Sequence, residues 1–316
     1  MLGELHAADP RSAGPYRLLG RLGAGGMGQV YLGSSASGRR LAIKVIRPEL
    51  AGDPGFRARF AREVAVARNV SGPFTAPVVD AEVQGTMPWL ATEYVPGPSL
   101  AEAVGEQGPL PAASVLSLAA GLAKGLQAIH AAGVVHRDLK PSNVLLAEDG
   151  PRVIDFGICR AAEATALTQS GTVMGSPGFM SPEQAEGGEV GPPSDVFSLG
   201  AVLTFAATGQ GPFGAGPTPA LIYRVVHSTP DTSRLPRQIR PLAERCLAKN
   251  PAQRPTAGDL IAELGTRQFA PDWLPAPVTE VLGRYALSSP AAVLAPLAPA
   301  DGAALAPADG AALGRL

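Results

Sequence analysis

Short apolar runs broken by glycine come first along the chain, and long apolar runs come after them. From Tyr16 to about Asp80 the pattern predicts short strands around glycine turns, then one helix. Leu41-Ala-Ile-Lys-Val-Ile46 is apolar and β-branched, a buried strand carrying a single charge. In Pro54 to Asn69 the residues Phe56, Phe60, Val64 and Ala67 repeat at three- and four-residue steps, so this segment reads as helix with Glu63 beside the stripe. Two more strands, near 78–84 and 87–93, complete a small sheet. Pro96-Gly97-Pro98 then breaks the chain and reads as a hinge.

From about 99 to 268 helices dominate. Ala112 to Ala132 is a long apolar helix stopped by Gly133. A second runs from Asp195 to Thr208, capped by Ser194 or Asp195 and closed by Gly209. Residues 238–248 and 256–265 read as two final helices. The pattern therefore predicts an α+β, bilobal fold: a small antiparallel-sheet lobe with one helix over about 15–95, and a larger helical lobe over about 99–268. Residues 1–14 read as a flexible leader. After Phe269 prolines and alanines accumulate, and Leu297-Ala-Pro-Ala-Asp-Gly-Ala-Ala-Leu305 recurs at 305–313. A repeat of this composition cannot bury a core, so 269–316 reads as a disordered tail or linker, with Trp273 as the residue that could dock.

Composition narrows the chemistry. The net charge of −1 provides no global field for nucleic acid or an anionic membrane. Two cysteines, Cys159 and Cys246, lie far apart and form no disulfide framework or metal cluster, which fits a reducing, cytoplasmic setting. Val196–Ala207 is too short to span a bilayer, and prolines break the uncharged stretch near the C-terminus, so no membrane segment is expected in this chain. Lysine is scarce, four residues against twenty-two arginines, and two of the four fall inside the motifs below.

Gly23-Ala-Gly-Gly-Met-Gly28-Gln-Val30 spells a phosphate-cradling loop, in which Gly23, Gly25, Gly26 and Gly28 let the backbone approach phosphate oxygens. A dinucleotide-binding turn shares the spelling but leads directly into a helix. Here Val30-Tyr-Leu32 continues as strand, which makes the loop a hairpin lid. Lys44, inside its apolar strand, is costly unless paired. His136-Arg-Asp138-Leu-Lys140-Pro-Ser-Asn143 is the strongest signal, and Asp155-Phe-Gly157 follows at a strand end.

On these motifs the chain resembles the eukaryotic-like (Hanks-type) serine/threonine protein kinases of bacteria, over about residues 14 to 268. The resemblance implies transfer of the ATP γ-phosphoryl group to protein Ser/Thr hydroxyls. It implies that Asp138 accepts the substrate proton, that Lys140 contacts the γ-phosphate, and that Asn143 and Asp155 hold Mg²⁺, or Mn²⁺ in its place. Lys44 would contact the ATP phosphates and pair with Glu63. The adenine would sit between Leu22, Val30 and Ala42 above and Leu145 below. Backbone groups of Glu93 and Val95 would read its edge, with Thr92 at the gatekeeper position. Ser181-Pro-Glu183 stands where the family has A-P-E, and Glu183 would pair with Arg254. Asp195 would anchor the catalytic-loop backbone, and Ser176 would contact Asp138 and Lys140.

Between Asp155 and Glu183, Thr165, Thr168, Ser170 and Thr172 are the candidate autophosphorylation sites, Thr168 and Ser170 first by position, with Arg137 placed to clamp a phosphate. Relatives often dimerise to phosphorylate one another, so a homodimer is the expected partner beside protein substrates. Two readings compete. A pseudokinase scaffold usually lacks the equivalents of Lys44, Asp138 or Asp155, all present here. A small-molecule phosphotransferase generally lacks the long activation segment and the S-P-E anchor. His136 reads as structural and Cys159 as a small filler.

Overall fold

The computed structural model describes residues 2–156, 177–265, 269 and 272–287. Strands β1 (Ser12–Ala13), β2 (Tyr16–Gly25), β3 (Gly28–Ser34), β4 (Arg40–Ile46), β5 (Val78–Glu82) and β6 (Trp89–Glu93) form one sheet in the order β1-β2-β3-β4-β6-β5. All neighbours run antiparallel. The registers set Val30 opposite Lys44, and Ala42 opposite Thr92. Since side chains alternate between faces with a period of two, Val30, Ala42 and Lys44 share the face that looks into the inter-lobe cleft.

The short α1 (Pro48–Ala51) leads into α2 (Pro54–Ala67). α2 starts where the sequence predicts: Asp53 caps it by accepting the Gly55 N–H at 2.7 Å, and Pro54 at its first position gives up no hydrogen bond. Phe56, Phe60 and Val64 are buried against Ile46 and Leu90 on one side of the sheet. Tyr16, Ile43 and Trp89 fill the other side, with Tyr16 and Trp89 meeting edge to face at 5.5 Å.

The larger lobe contains α3 (Leu100–Gln107), α4 (Ala112–Ala131), the hairpin β7 (Val144–Ala147) and β8 (Gly150–Val153), α5 (Pro182–Ala185), α6 (Pro192–Thr208), α7 (Thr218–His227), α8 (Arg240–Cys246), α9 (Ala257–Leu264) and α10 (Ala276–Leu287). α4 packs against α6, α9 and β8 at the centre of one continuous apolar core. By length and composition it could cross a membrane, but most of it is buried in this core.

The structure departs from the sequence reading at three places. The helix predicted over 195–208 starts at Pro192, with Gly191 as N-cap and no side-chain cap. Ser194 and Asp195 are engaged elsewhere: the Ser194 hydroxyl donates to Glu183 Oε1 at 2.6 Å, and Asp195 faces the catalytic loop. The leader expected to be flexible lies on the sheet. Gly3 and Arg21 exchange both backbone hydrogen bonds at 2.8 Å, and the buried Asp9 carboxylate accepts from Arg21 twice at 2.6 Å and from the Tyr31 hydroxyl at 2.8 Å. The paired Arg21 holds the Asp9 carboxyl well below the usual range, and burial helps push the Tyr31 phenol up to about 12. Finally, ordered chain continues past 268. The Trp273 indole N–H donates to the Ala147 carbonyl at 3.0 Å, and α10 buries Val278 and Leu282 in the lobe's core. The repeat at 297–313 lies outside the described residues.

Candidate active site

The glycine loop is a hairpin tip. Gly25 and Gly28 pair across β2 and β3, with Gly26 and Met27 as the turn. Its glycines are not equivalent. A Cβ on Gly23 or Gly25 meets nothing within 4 Å, whereas one on Gly28 would collide with the Val45 carbonyl of β4. Gly28 is therefore required by packing against β4, and Gly23 and Gly25 leave backbone open to the cleft.

The cleft between the lobes has a volume of 1170 Å³. Leu22, Gly23, Gly25, Gly26, Val30, Ala42, Lys44, Glu93, Val95, Asp138, Lys140, Asn143, Leu145 and Asp155 all line it. Gly28 and Glu63 do not. Thr92 lines it too, as do residues not anticipated from the sequence: Leu2, Glu102, Val281, Arg284 and Tyr285.

At its inner end the charged groups converge. Lys44 Nζ lies 3.1 Å from Asp155 Oδ2, and Lys140 Nζ lies 2.9 Å from Asp138 Oδ2. Asp155, at a left-handed φ of 56°, brings its carboxylate under Lys44. Withdrawal from solvent alone would raise the Asp155 pKa. The charge and hydrogen bond of Lys44 outweigh that and hold it below the ordinary value. The Asn143 amide N–H₂ donates to the Asp138 carbonyl at 2.9 Å and reaches Asp138 Oδ2 at 3.3 Å. That orientation leaves Oδ1 as the Asn143 acceptor. An amide oxygen and the 39 % exposed Asp155 carboxylate are hard donors of the kind Mg²⁺ takes one or two of, the rest coming from phosphate and water. Among the described residues no cluster of three or more His, Cys, Asp or Glu could hold a metal alone.

The loop bearing Asp138 is held from three directions. Arg137 sits at φ 63°, a conformation costly for a non-glycine residue that persists only where the surroundings fix it. The Asp195 carboxylate accepts the His136 and Arg137 backbone N–H groups, each at 2.8 Å. The Gln184 side chain donates to the Arg137 carbonyl at 2.8 Å. The fully buried His136 ring accepts the Asp138 N–H at Nδ1 (3.2 Å) and meets the Ile154 carbonyl through Nε2 (3.0 Å), which assigns the proton to Nε2. Burial lowers the His136 pKa and keeps the ring neutral. Asp195 also contacts His130 Nε2 at 2.7 Å. Glu183, behind this loop, forms a bidentate pair with Arg254 at 2.6 and 2.8 Å.

Gly157, Cys159, Thr165, Thr168, Ser170, Thr172 and Ser176 lie outside the described residues. His130 and Gln184 were not singled out from the sequence as loop anchors.

A model of the protein kinase domain matches residues 16–264. The probable serine/threonine-protein kinase PkwA of Thermomonospora curvata is 52 % identical over 283 residues, covering 90 % of this chain and 38 % of that protein. The serine/threonine-protein kinase AfsK of Streptomyces coelicolor is 54 % identical over 286 residues, 87 % of this chain and 36 % of its own length. The chain thus spans under two-fifths of these relatives. The similarity to PkwA is too long to fit within the kinase-domain match and the residues before it, so it runs on into α10. The crystal structure of the Mycobacterium tuberculosis PknI kinase domain superposes with a TM-score of 0.61 at 25 % identity, covering 82 % of this chain and 98 % of that one.

Proposed function

We propose, from the premise that this chain belongs to the protein kinase family, that it is a serine/threonine kinase moving the γ-phosphoryl group of ATP onto protein hydroxyls. The observation that carries this reading is the convergence of Lys44, Asp138, Lys140, Asn143 and Asp155 on the inner end of one cleft.

Phosphoryl transfer asks little covalent work of a protein and much positioning and charge stabilisation. Asp138 accepts the proton of the incoming Ser or Thr hydroxyl and aims its oxygen at the γ-phosphorus. Lys140, 2.9 Å from that carboxylate, orients it and reaches the transferred phosphoryl group. Asn143 and Asp155 would hold Mg²⁺, or Mn²⁺, which neutralises charge on the β- and γ-phosphates. Lys44 supplies a second cation to the phosphates, with Glu63 on α2 as the group that positions it. Leu22, Val30, Ala42 and Leu145 enclose the base, and the backbone of Glu93 and Val95 reads its edge. Phosphorylation of Thr165, Thr168, Ser170 or Thr172 by a second copy, with Arg137 as phosphate clamp, is the proposed control. A cytoplasmic location, supported by the use of ATP and by the separated cysteines, completes the reading.

The test is incubation of purified protein with radiolabelled ATP and Mg²⁺, followed by phosphosite mapping. Label on Ser and Thr is expected. Asp138→Asn should lower incorporation by at least about 10²-fold with nucleotide binding retained. Label that survives this change undiminished, or no label on any protein, contradicts the assignment.

A further inference from the structure

The nucleotide cleft has an outer wall that the kinase-domain match does not include. α10 begins after the match ends at residue 264. It is seated firmly. Trp273 is tied to Ala147 of β7, and its ring meets Phe269 edge to face at 5.3 Å. Phe269 in turn tilts onto Phe74 at 5.1 Å. The helix then runs beside α3 and the inter-lobe hinge: a Cβ on Gly97 would lie 3.2 Å from Leu282 Cδ2. Val278, Val281, Leu282 and Tyr285 follow one another at i, i+3, i+4 and i+7, so they form one face of the helix. Of that face, Val281 and Tyr285, with the adjoining Arg284, line the cleft.

The position of these three residues defines what they can touch. They sit at the hinge end, and Lys44, Asp138 and Asp155 form the other. Three carboxylates, Glu93, Glu102 and Glu106, line the cleft together with them. Burial and the nearby charges of Glu102 and Glu106 raise the Tyr285 phenol above its ordinary value, so it stays a neutral donor. An anionic phosphate is disfavoured among these carboxylates, whereas an uncharged base and sugar are not.

We infer that α10 is part of the nucleotide site, with Val281, Arg284 and Tyr285 walling the base-and-sugar end of bound ATP. This rests on the kinase reading above and extends it to residues beyond the kinase-domain match. α10 acts as an affinity element: the Tyr285 ring and Val281 cover apolar area, and the Arg284 guanidinium offers donors to sugar hydroxyls.

The experiment is calorimetric titration of the full chain, and of Arg284→Ala/Tyr285→Ala, with ATP, adenosine and inorganic tripolyphosphate. The double variant should bind ATP and adenosine about tenfold more weakly and tripolyphosphate unchanged, with KM for ATP raised by the same factor and kcat within about twofold. In the parent chain, adenosine should slow amide hydrogen exchange across 281–285, a readout that does not depend on the variant folding. Unchanged adenosine affinity, equal weakening of tripolyphosphate, or no protection of 281–285 overturns the role of α10 and leaves the kinase reading intact. A parent chain that binds neither ATP nor adenosine overturns both.

Discussion

Asp195 and Glu183 are both carboxylates sunk into the larger lobe, and they are neutralised by different means. Asp195 is fully buried and satisfied by two backbone N–H groups and the His130 ring. Glu183 takes a full cation: the Arg254 side chain, fully buried, donates to both of its oxygens. Arg254 also donates to the carbonyls of Pro193, Ala248 and Lys249, which ties α5 to the start of α6 and to the segment after α8. Asp195 fixes two peptide groups of one loop, and Glu183 fixes several segments to one another. The first arrangement shapes the catalytic loop; the second holds the lobe together. Activity and stability should therefore separate when the two are altered.

The largest effect is expected from Glu183→Gln. It leaves Arg254 buried beside a neutral partner, and removing one member of a buried pair costs about 3–5 kcal/mol. Thermal unfolding should fall by roughly 6–15 °C for a chain of this size, with kcat at low temperature little changed. Acidity should reproduce the loss in the parent chain. Burial would raise the Glu183 pKa, but the bonds from Arg254 and Ser194 hold it down at about 2, against an ordinary 4.5. A carboxylate depressed in the folded state gives stability that is present above its ordinary pKa and lost as pH falls through the folded one. The window therefore runs from pH 4.5 down to about 2. The linked contribution is about 3 kcal/mol. Urea midpoints measured from pH 5 to 3 should converge for parent and Glu183→Gln; parallel curves would sink the assignment.

Asp195→Asn comes next, and its expected signature is the reverse. An amide has one acceptor oxygen where the carboxylate has two, and its N–H₂ would face a loop N–H. One of the His136 and Arg137 amides then loses its partner, at about 1–3 kcal/mol. The left-handed Arg137 backbone stores a strain of similar size, about 1–3 kcal/mol, which that bond helps contain. Release of the loop should lower kcat by about 10²-fold, equivalent to roughly 2.7 kcal/mol. The shift in unfolding temperature should be smaller than for Glu183→Gln. A stability loss with turnover intact would show that Asp195 is architecture in the same sense as Glu183.

The same contrast explains what the sequence discloses. Asp138, Lys140 and Asn143 are legible because one short loop must carry a proton acceptor, a cation and an amide at fixed spacing. The two-lobed order of strands and helices is legible from the switch in apolar period between Tyr16–Asp80 and the long helices after residue 99. Gln184 and His130 were missed as loop anchors. Gln184 meets a backbone carbonyl 47 residues away, and a carbonyl leaves no mark in the sequence. His130 carries no local signal either, because its partner, the Asp195 carboxylate, lies 65 residues along the chain. Asp9 was hidden for a related reason: a short polar leader resembles a loose end until Arg21 and Tyr31 are brought to it by the sheet. α10 did carry a signal, the i, i+3, i+4, i+7 stripe from Val278 to Tyr285. Proline-rich composition masked it, although Pro275 and Pro277 fall at the helix start, where proline is tolerated.

The smallest effect sharpens the comparison most. His130 contacts Asp195 Oδ2 from outside the catalytic loop, so His130→Ala removes one donor to that carboxylate and leaves both loop amides bonded. If Asp195 works by gripping the His136 and Arg137 amides, this change should cost about 1 kcal/mol of stability. kcat should stay within about threefold, because the bonds that set the Arg137 backbone persist. If His130 instead fixes the orientation of the Asp195 carboxylate, the variant should lose turnover nearly as severely as Asp195→Asn. Steady-state kinetics on the two variants at one temperature, each with its unfolding midpoint, separates these cases. A His130→Ala enzyme as slow as Asp195→Asn would move the histidine into the loop's positioning machinery and leave Glu183 alone as the purely structural carboxylate.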